Sequence, residues 1–199
     1  RASLLNRPDI ALTSQGITLF DSRGLKVSKD SRFTALLFAG MQAGSDIGEP
    51  LTRKRPSILS TTQNYNTHND AETALKSGTL FISVGSVGPR VERSITTYLE
   101  DNNPILSEIS AYESVLTSLR DIRTALNDQI GRPTKSSQMG LIESRVTARL
   151  SQQKRDGMIK AFGSITLEDL GDQITVSYDM APLEPLNFIT LTAIAQRMN

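Results

Sequence analysis

The sequence predicts an α+β fold, in which a mainly antiparallel sheet packs with two longer helices and several short ones. Segments of period two occur early and late in the chain, helical periods dominate between them, and strands and helices do not alternate regularly. The 199 residues are enough to bury about 70% of the unfolded surface. We divide the chain into an extended or hairpin lead-in, residues 1–30, and one α+β domain, residues 31–199.

The first predicted elements are a hairpin and a short helix. GITLFDSRGLKV, residues 16–27, alternates apolar residues around a Ser-Arg-Gly turn, which is typical of a hairpin. SRFTALLFAGMQAG, residues 31–44, predicts a mostly buried helix behind a candidate cap at Ser31. Its apolar positions are Phe33, Leu36, Leu37, Met41 and Ala43. Irregular chain follows, because glycine and prolines interrupt residues 45–57.

A compact helix and a second hairpin are predicted next. NDAETALKSG, residues 69–78, has Asn69 as a cap, Glu72 at the capping-box position and Gly78 at the end. TLFISV and RVERSITT then show period two on either side of the turn GSVGP. The sequence therefore predicts a β-hairpin over residues 79–97.

Two longer helices are predicted in the second half of the chain. Over residues 105–130, apolar residues recur at spacings of three and four, as expected for a helix with one buried face. They are Ile105, Ile109, Tyr112, Leu116, Leu119, Leu126 and Ile130. The second helix, about residues 138–155, has Ile142, Val146 and Leu150 on one side and ends at Gly157.

Two further strands are predicted close to the end of the sequence. DQITVSYDM, residues 172–180, and NFITLTAIA, residues 187–195, each alternate apolar and polar residues on either side of a proline-containing loop. The outer strands of such a sheet expose unpaired backbone groups, which a protein must cover or pair with another chain. A strand supplied by a neighbouring molecule is one solution.

Composition excludes several classes of function. Because there is no Cys and only one His, thiolate chemistry and a metal site built on histidines are excluded, and we expect no cofactor or metal. A net charge of +1 and few aromatic residues argue against nucleic-acid binding. No apolar run is long enough for a membrane span, and no secretion signal is visible. The start at Arg1 suggests a fragment or a processed product.

The polar motifs do not form a catalytic constellation. GSVGPR resembles a glycine-rich phosphate loop, but it lies between two predicted strands, which favours a plain turn. His68 lies near Asp70 and Glu72 without an activated nucleophile, so a capping loop is the better interpretation. Glu168 and Asp169 are sequence neighbours that project in different directions. We therefore predict that the protein is not an enzyme.

Two groups of basic residues are candidate contacts. TRKRP, residues 52–56, is suited to an acidic surface or a phosphate, although such loops are more often simply solvated. Arg145 and Arg149 share one face of the second long helix, and the same two interpretations apply.

Seven collinear segments resemble one family. They are GITLFDSRG, FTALLFAGMQAGSDIGEPLT, ALKSGTLFISV, RVERSITT, DIRTALNDQIG, DGMIKAF and QITVSYDMAPLEPLNFITLTAIA. Their order is similar to that of the carboxy-terminal part of contractile tail sheath proteins from bacteriophages and related injection particles. RPTKSSQ, after Gly131, replaces the Asn-rich loop that the family often has.

The resemblance implies a structural subunit of a contractile phage tail sheath. Such a subunit polymerises helically around the tail tube and contracts, which drives the tube through the host envelope for genome delivery. Its implied partners are other copies of itself, the tube protein, and baseplate and tail terminator proteins, with assembly in the bacterial cytoplasm and a final place in the virion. The sheath of a phage-like contractile injection particle is the related alternative.

The resemblance also implies where contacts lie. Strands from neighbouring subunits would complete the sheet, and the candidate exchanged segment is Asn187, Phe188, Ile189, Thr190, Leu191 and Thr192. Candidate tube or intersubunit contacts are Arg145, Arg149, Arg53, Lys54 and Arg55. The competing hypothesis is a non-enzymatic anion-binding module that uses Arg53, Lys54, Arg55 and Arg90, and it predicts a monomer with salt-sensitive ligand binding.

Overall fold

The computed structural model describes residues 2–65, 68–101, 103–132 and 136–186. The helices within these ranges are α1 (Ser31–Ala43), α2 (His68–Lys76), α3 (Pro104–Ser107), α4 (Ile109–Leu126) and α5 (Ser136–Arg155), with short 3₁₀ turns at Ala2–Leu4 and Asn127–Gln129. The strands are β1 (Ile17–Phe20), β2 (Lys26–Lys29), β3 (Ser60–Thr61), β4 (Ile82–Gly85), β5 (Gly88–Val91), β6 (Ile159–Asp169) and β7 (Ile174–Pro182).

All paired strands that the structure describes are antiparallel, and they form three small sheets. The order of the first is β2-β1-β3, while β4 pairs with β5 and β6 pairs with β7. The α+β class is therefore confirmed, although the sheet is divided into separate parts. The boundary between lead-in and domain at residue 30 stays a prediction.

The first core lies where α1 covers β1 and the β4–β5 hairpin. Its buried members are Ile17, Phe38, Leu51, Leu80, Ile82 and Val91. Gly16 lies directly before β1, where a Cβ atom would clash with the carbonyl oxygen of Lys29 and lie 2.8 Å from Thr62 Oγ1. A glycine is therefore required where these chain segments approach each other.

The second core lies between α4, α5 and the long β6–β7 hairpin. Ile142, Val146 and Leu150 are buried on one side of α5, as the sequence predicted, and they pack with Ile122 and Ile159. The alternating residues of β7 cover this core as partly buried side chains: Ile174, Val176, Tyr178 and Met180. Gly157, with φ +71°, ends the α5 segment as predicted.

The predicted long helix is real, but its buried face is different from the predicted one. Glu108 interrupts it in an extended conformation and pairs with Ile95 as an isolated bridge. The face of α4 that lies deepest carries Ser110, Ser114 and Ser118. Small serines let neighbouring backbone approach. Ser114 Oγ donates to the Ser110 carbonyl at 3.0 Å and Ser118 Oγ donates to Gln153 Oε1 at 2.7 Å, whereas Ser110 Oγ is buried without a hydrogen-bond partner among the described residues.

The outward side of α4 therefore carries part of the predicted apolar stripe. Leu119 is 49% exposed, and Ile130, beyond the end of the helix, is 76% exposed. The prediction that these two positions lie in the core is wrong, because burial here is decided by how closely small side chains let the helix approach its neighbours.

Helix α1 is less buried than predicted, although Leu37 and Met41 pack against the first core. Asp30, not Ser31, caps it, since the Asp30 carboxylate accepts from the Arg32 backbone N–H at 3.0 Å. Thr34 and Phe38 are buried, while Phe33 and Leu36 are exposed.

Strand β6 has no counterpart in the predicted elements. Its register is shifted twice, between Ile159 and Ala161 and between Phe162 and Ile165, and these irregularities break the period of two that would have identified it. The predicted strand over residues 187–195 lies outside the described residues.

Candidate assembly surfaces

The basic loop, residues 52–56, covers the edge of the β4–β5 hairpin with its backbone. Val91 turns its backbone groups outward, where its carbonyl accepts from Arg53 N–H at 2.8 Å and its own N–H donates to the Lys54 carbonyl at 2.9 Å. Arg53 reaches this position with φ +66°, an uncommon conformation for a residue with a side chain. The loop is therefore built into the sheet edge rather than simply solvated.

The charged side chains of this region are mostly paired within the chain. Glu92 lies 3.1 Å from Arg53 and 3.8 Å from Arg90, and it accepts from Ser83 Oγ at 2.7 Å. Lys54 Nζ lies 2.9 Å from Glu49. Arg55 is exposed and has no hydrogen bond or ion pair within the described ranges. An anion offered to this loop would therefore compete with carboxylates for most of its cations.

A cavity of about 780 Å³ opens beside this loop, between α2 and residues 92–107. Its lining is of mixed charge, since Arg53 and Lys76 face it together with Glu72 and Glu92. The residues that the structure describes contain no group of three His, Cys, Asp or Glu side chains suited to a metal ion. Within the same residues, no helix has both the length and the hydropathy needed to cross a bilayer.

Arg145 and Arg149 fasten α5 to the preceding helix. Arg145 is paired with Asp128 and donates to the Ala125 carbonyl at 3.3 Å. Arg149 Nε donates to both carboxylate oxygens of Asp121 at 2.8 Å. The two arginines lie one turn apart on α5, as the sequence predicted. Arg145 binds Asp128 and Arg149 binds Asp121, so α5 is linked to the preceding segment at two successive turns.

The Arg149 contact continues into a buried polar network. Gln153 donates to Asp121 at 2.7 Å and accepts from Ser118 Oγ at 2.7 Å. The Ser118 and Tyr178 hydroxyls are 3.3 Å apart. This network links α4, α5 and β7, so the β6–β7 hairpin is held at a defined position on the helix pair. Neither interpretation predicted for Arg149, an external contact or a solvated side chain, included this internal pairing, because the acidic partner is 28 positions away.

The network predicts a dependence of stability on pH. Partial burial would raise the pKa of the Asp121 carboxyl, but the hydrogen bonds from Arg149 and Gln153 outweigh this and hold the pKa below its usual value. A lowered pKa in the folded state stabilises the protein above the unfolded-state value of about 4, and the gain is lost as pH falls through the folded-state pKa. Asp121→Asn should therefore lower the free energy of unfolding by about 1 kcal/mol at pH 7, since Arg149 is partly solvated.

Urea unfolding of both proteins at several pH values between 3 and 7 checks this. We expect the difference between Asp121→Asn and the original protein to shrink towards the acid end. Asp128→Asn is the matched control, because its carboxylate is 49% exposed and should contribute less. A difference that stays constant down to pH 3 would contradict the assigned role of the Asp121 charge.

The β6–β7 hairpin offers open sheet edges. It is a two-stranded sheet, and no third strand pairs with it among the residues that the structure describes. Its inner face packs on the second core, so the side chains anchor the hairpin and leave the outer backbone edges for pairing. The candidate exchanged segment, residues 187–192, follows β7 after a short loop but lies outside the described residues.

Comparisons with known proteins agree with this fold. The sequence is 28% identical, over 194 residues, to a tail sheath protein of Bacillus phage SP01, covering 95% of this chain and 34% of that protein. A sheath tail protein from Desulfitobacterium hafniense has the same fold, with a TM-score of 0.78 at 15% identity over 92% of this chain and 44% of its own. The helical sheath of the anti-feeding prophage in its contracted state gives a TM-score of 0.72 at 14% identity, over 95% of this chain and 56% of its own. No protein-family model matches the chain.

The fold is therefore that of contractile sheath proteins. Among these, the sequence is similar to the tail sheath proteins of phages along nearly its whole length. The resemblance predicted from seven short segments is confirmed. The chain spans about a third of the length of the curated relatives that it matches.

Proposed function

We propose that this chain is the conserved part of a sheath subunit that polymerises helically around the tail tube of a contractile phage. The observation that carries the proposal is sequence similarity to phage tail sheath proteins over 95% of the chain. Contraction would drive the tube through the host envelope for genome delivery. The sheath of a phage-like injection particle is the second candidate, favoured by the structural likeness to the anti-feeding prophage sheath.

The proposed role is structural and not enzymatic. The work of contraction would come from the difference in contact free energy between two packings of the same subunits, with no nucleotide required. Copies of the chain are the first partners, and the tube, baseplate and terminator proteins are the others. We place assembly in the bacterial cytoplasm and the finished sheath in the virion.

The proposed link between copies is strand addition to the β6–β7 hairpin. Residues 187–192 of one copy would pair with an open edge of this hairpin in a neighbour, so that the connection survives while the subunits rotate. This is supported by the two-stranded state of the hairpin and by its anchoring to α4 and α5. The backbone edge supplies hydrogen bonds without requiring a particular side chain.

The basic residues would form weaker contacts to the tube or to neighbours. Arg55 has all its donors available for such a contact, because its side chain is exposed and has no hydrogen bond or ion pair within the described ranges. Arg53, Lys54, Arg145 and Arg149 would share their remaining donors with an outside partner while staying paired within the chain. Such exposed contacts should weaken as salt rises.

Negative-stain electron microscopy of the full-length protein, alone and with its tube protein, tests the proposal. We expect helical tubes or striated sheaths, which are wider without the tube than with it. The control is the same protein dissociated in high salt or mild denaturant and then returned to the assembly buffer. Dispersed particles under every condition would contradict the sheath role and favour the anion-binding module.

A further inference from the structure

Helix α1 has apolar residues on both of its sides. Thr34 and Phe38 face the first core, yet Phe33 and Leu36, on the opposite side, are 44% and 67% exposed. Arg32 is the only charged residue between positions 31 and 43. Because a helix that is apolar all round is normally buried on all sides, the outer side of α1 has the character of an interface.

We call this surface the α1 outer face and define it by Arg32, Phe33, Leu36, Ala39 and Gly40. Leu36 is three or four positions away from each of the other four residues, so all five share one side of the helix. A Cβ atom added at Gly40 would meet nothing within 4 Å. The small residues leave room for a side chain of a partner to approach the helix backbone.

The amino-terminal end of the α1 outer face is positively charged. Lys29 Nζ lies 5.1 Å from the centre of the Phe33 ring and has no acidic partner within the described ranges. Arg32 adds a second cation, paired with Asp30 at 2.6 Å in an exposed position. Lys29 and Arg32 together outweigh the one carboxylate of Asp30, so this end keeps a net positive charge. A partner that covers this end should therefore carry negative charge beside an apolar side chain.

The tip of the β6–β7 hairpin has this chemistry. Leu170 is 55% exposed there, and Glu168, Asp169 and Asp172 surround it in sequence, while no Lys or Arg occurs between residues 161 and 186. The turn is well defined, because Leu170 N–H donates to the Gln173 carbonyl at 2.8 Å and Asp169 accepts from Gly171 N–H at 2.9 Å. The acidic tip therefore presents one leucine in a fixed position.

We propose that the acidic tip of one copy docks on the α1 outer face of a second copy. Leu170 would pack against Phe33 and Leu36, and the carboxylates would lie near Lys29 and Arg32. The proposal rests on the sheath function above and names one of its subunit contacts. Because the two surfaces are different patches of the same chain, the contact is head-to-tail and adds copies without closing a dimer, as a helical polymer requires.

The other exposed hairpin tip does not fit the α1 outer face. Val87 is 61% exposed at the turn of the β4–β5 hairpin, but the nearest charged residue in sequence is Arg90, which has the same sign as Lys29. This tip therefore serves as a matched control.

Charge reversal on the two surfaces of the full-length protein tests the contact. One variant carries Glu168→Lys and Asp172→Lys, a second carries Lys29→Glu and Arg32→Glu, and a third carries all four changes. We expect each of the first two to raise the protein concentration needed for assembly about tenfold, and the combined variant to return towards the original value. Sedimentation over a concentration series measures this, and thermal melting establishes that each variant is folded.

Replacing the exposed apolar residue at each hairpin tip by serine gives an independent test of the contact. Leu170→Ser should weaken assembly, while Val87→Ser, at the control tip, should leave it unchanged. The contact is overturned if folded reversal variants assemble as well as the original protein, or if the combined variant is not rescued. It is also overturned if Leu36→Asp blocks assembly while the tip variants do not, because another partner then covers α1. If the original protein itself never assembles, the sheath function fails as well.

Discussion

Removal of residues 187–199 should abolish assembly while leaving the rest of the chain folded. The structure describes two cores, whose buried residues all lie between Ile17 and Ile159. Within each core these residues pack against members of the same core. The polar network from Arg149 to Tyr178 likewise lies before the truncation point. If residues 187–199 are donated to a neighbour, as we propose, the donor chain loses no contact of its own core when they are deleted.

Sedimentation and circular dichroism of the truncated full-length protein distinguish the outcomes. We expect no polymer at concentrations where the original protein assembles, and a melting temperature within a few degrees of the original. If the segment were instead a central strand of its own domain, deletion would expose the second core and unfold the protein. Loss of the folded signal would therefore contradict strand donation.

A point substitution within the segment gives a sharper test. Leu191→Pro removes one backbone N–H and fixes φ at about −65°, far from the roughly −140° of an antiparallel paired strand. Leu191→Val keeps both the backbone donor and a strand-forming side chain, so it is the matched control. We expect the proline variant to assemble poorly and the valine variant to assemble normally. Equal assembly of both would show that pairing through this stretch of backbone is not needed.

The elements predicted correctly are those in which one local signal decides the structure. Ile142, Val146 and Leu150 repeat along α5 and are buried, because a helix with one apolar side can place it only against the core. The alternating residues of β7 and the two helix-ending glycines, Gly78 and Gly157, were also predicted correctly from local sequence. The β7 residues lie on the core, and both glycines have positive φ. The order of short motifs along the chain was also sufficient to predict the resemblance to phage tail sheath proteins.

The errors arise where distant contacts decide. Helix α4 buries serines because neighbouring chain segments approach it closely, and a hydropathy pattern does not contain that information. Arg145 and Arg149 are linked to acidic residues 17 and 28 positions away, so their roles within the chain were not visible from helix spacing. Helix α1 was predicted to be mostly buried, but Phe33 and Leu36 are exposed, because the described chain covers only one of its two apolar sides.

Gln15 should be among the residues most important for stability. Its side chain is fully buried, donates to the carbonyls of Gln63 and Ile82 at 2.7 and 3.0 Å, and accepts from Ile82 N–H at 2.7 Å. The amide thus takes the place of a neighbouring strand at the edge of β4. Gln15→Leu leaves several buried backbone groups unsatisfied and should lower the free energy of unfolding by about 3 kcal/mol or more.

Chemical denaturation measures this, and Gln63→Leu is the control, because the Gln63 side chain is exposed and its replacement should change stability by less than about 0.5 kcal/mol. Gln15→Glu separates hydrogen bonding from packing, since it preserves the shape but directs a carboxylate at two carbonyl oxygens. Burial should raise the pKa of that carboxyl, so the variant should become more stable, relative to the original protein, as pH falls and the group gains a proton that it can donate. A variant whose stability relative to the original does not change with pH, or a Gln15→Leu variant as stable as the original, would mean that the edge of β4 does not depend on this amide.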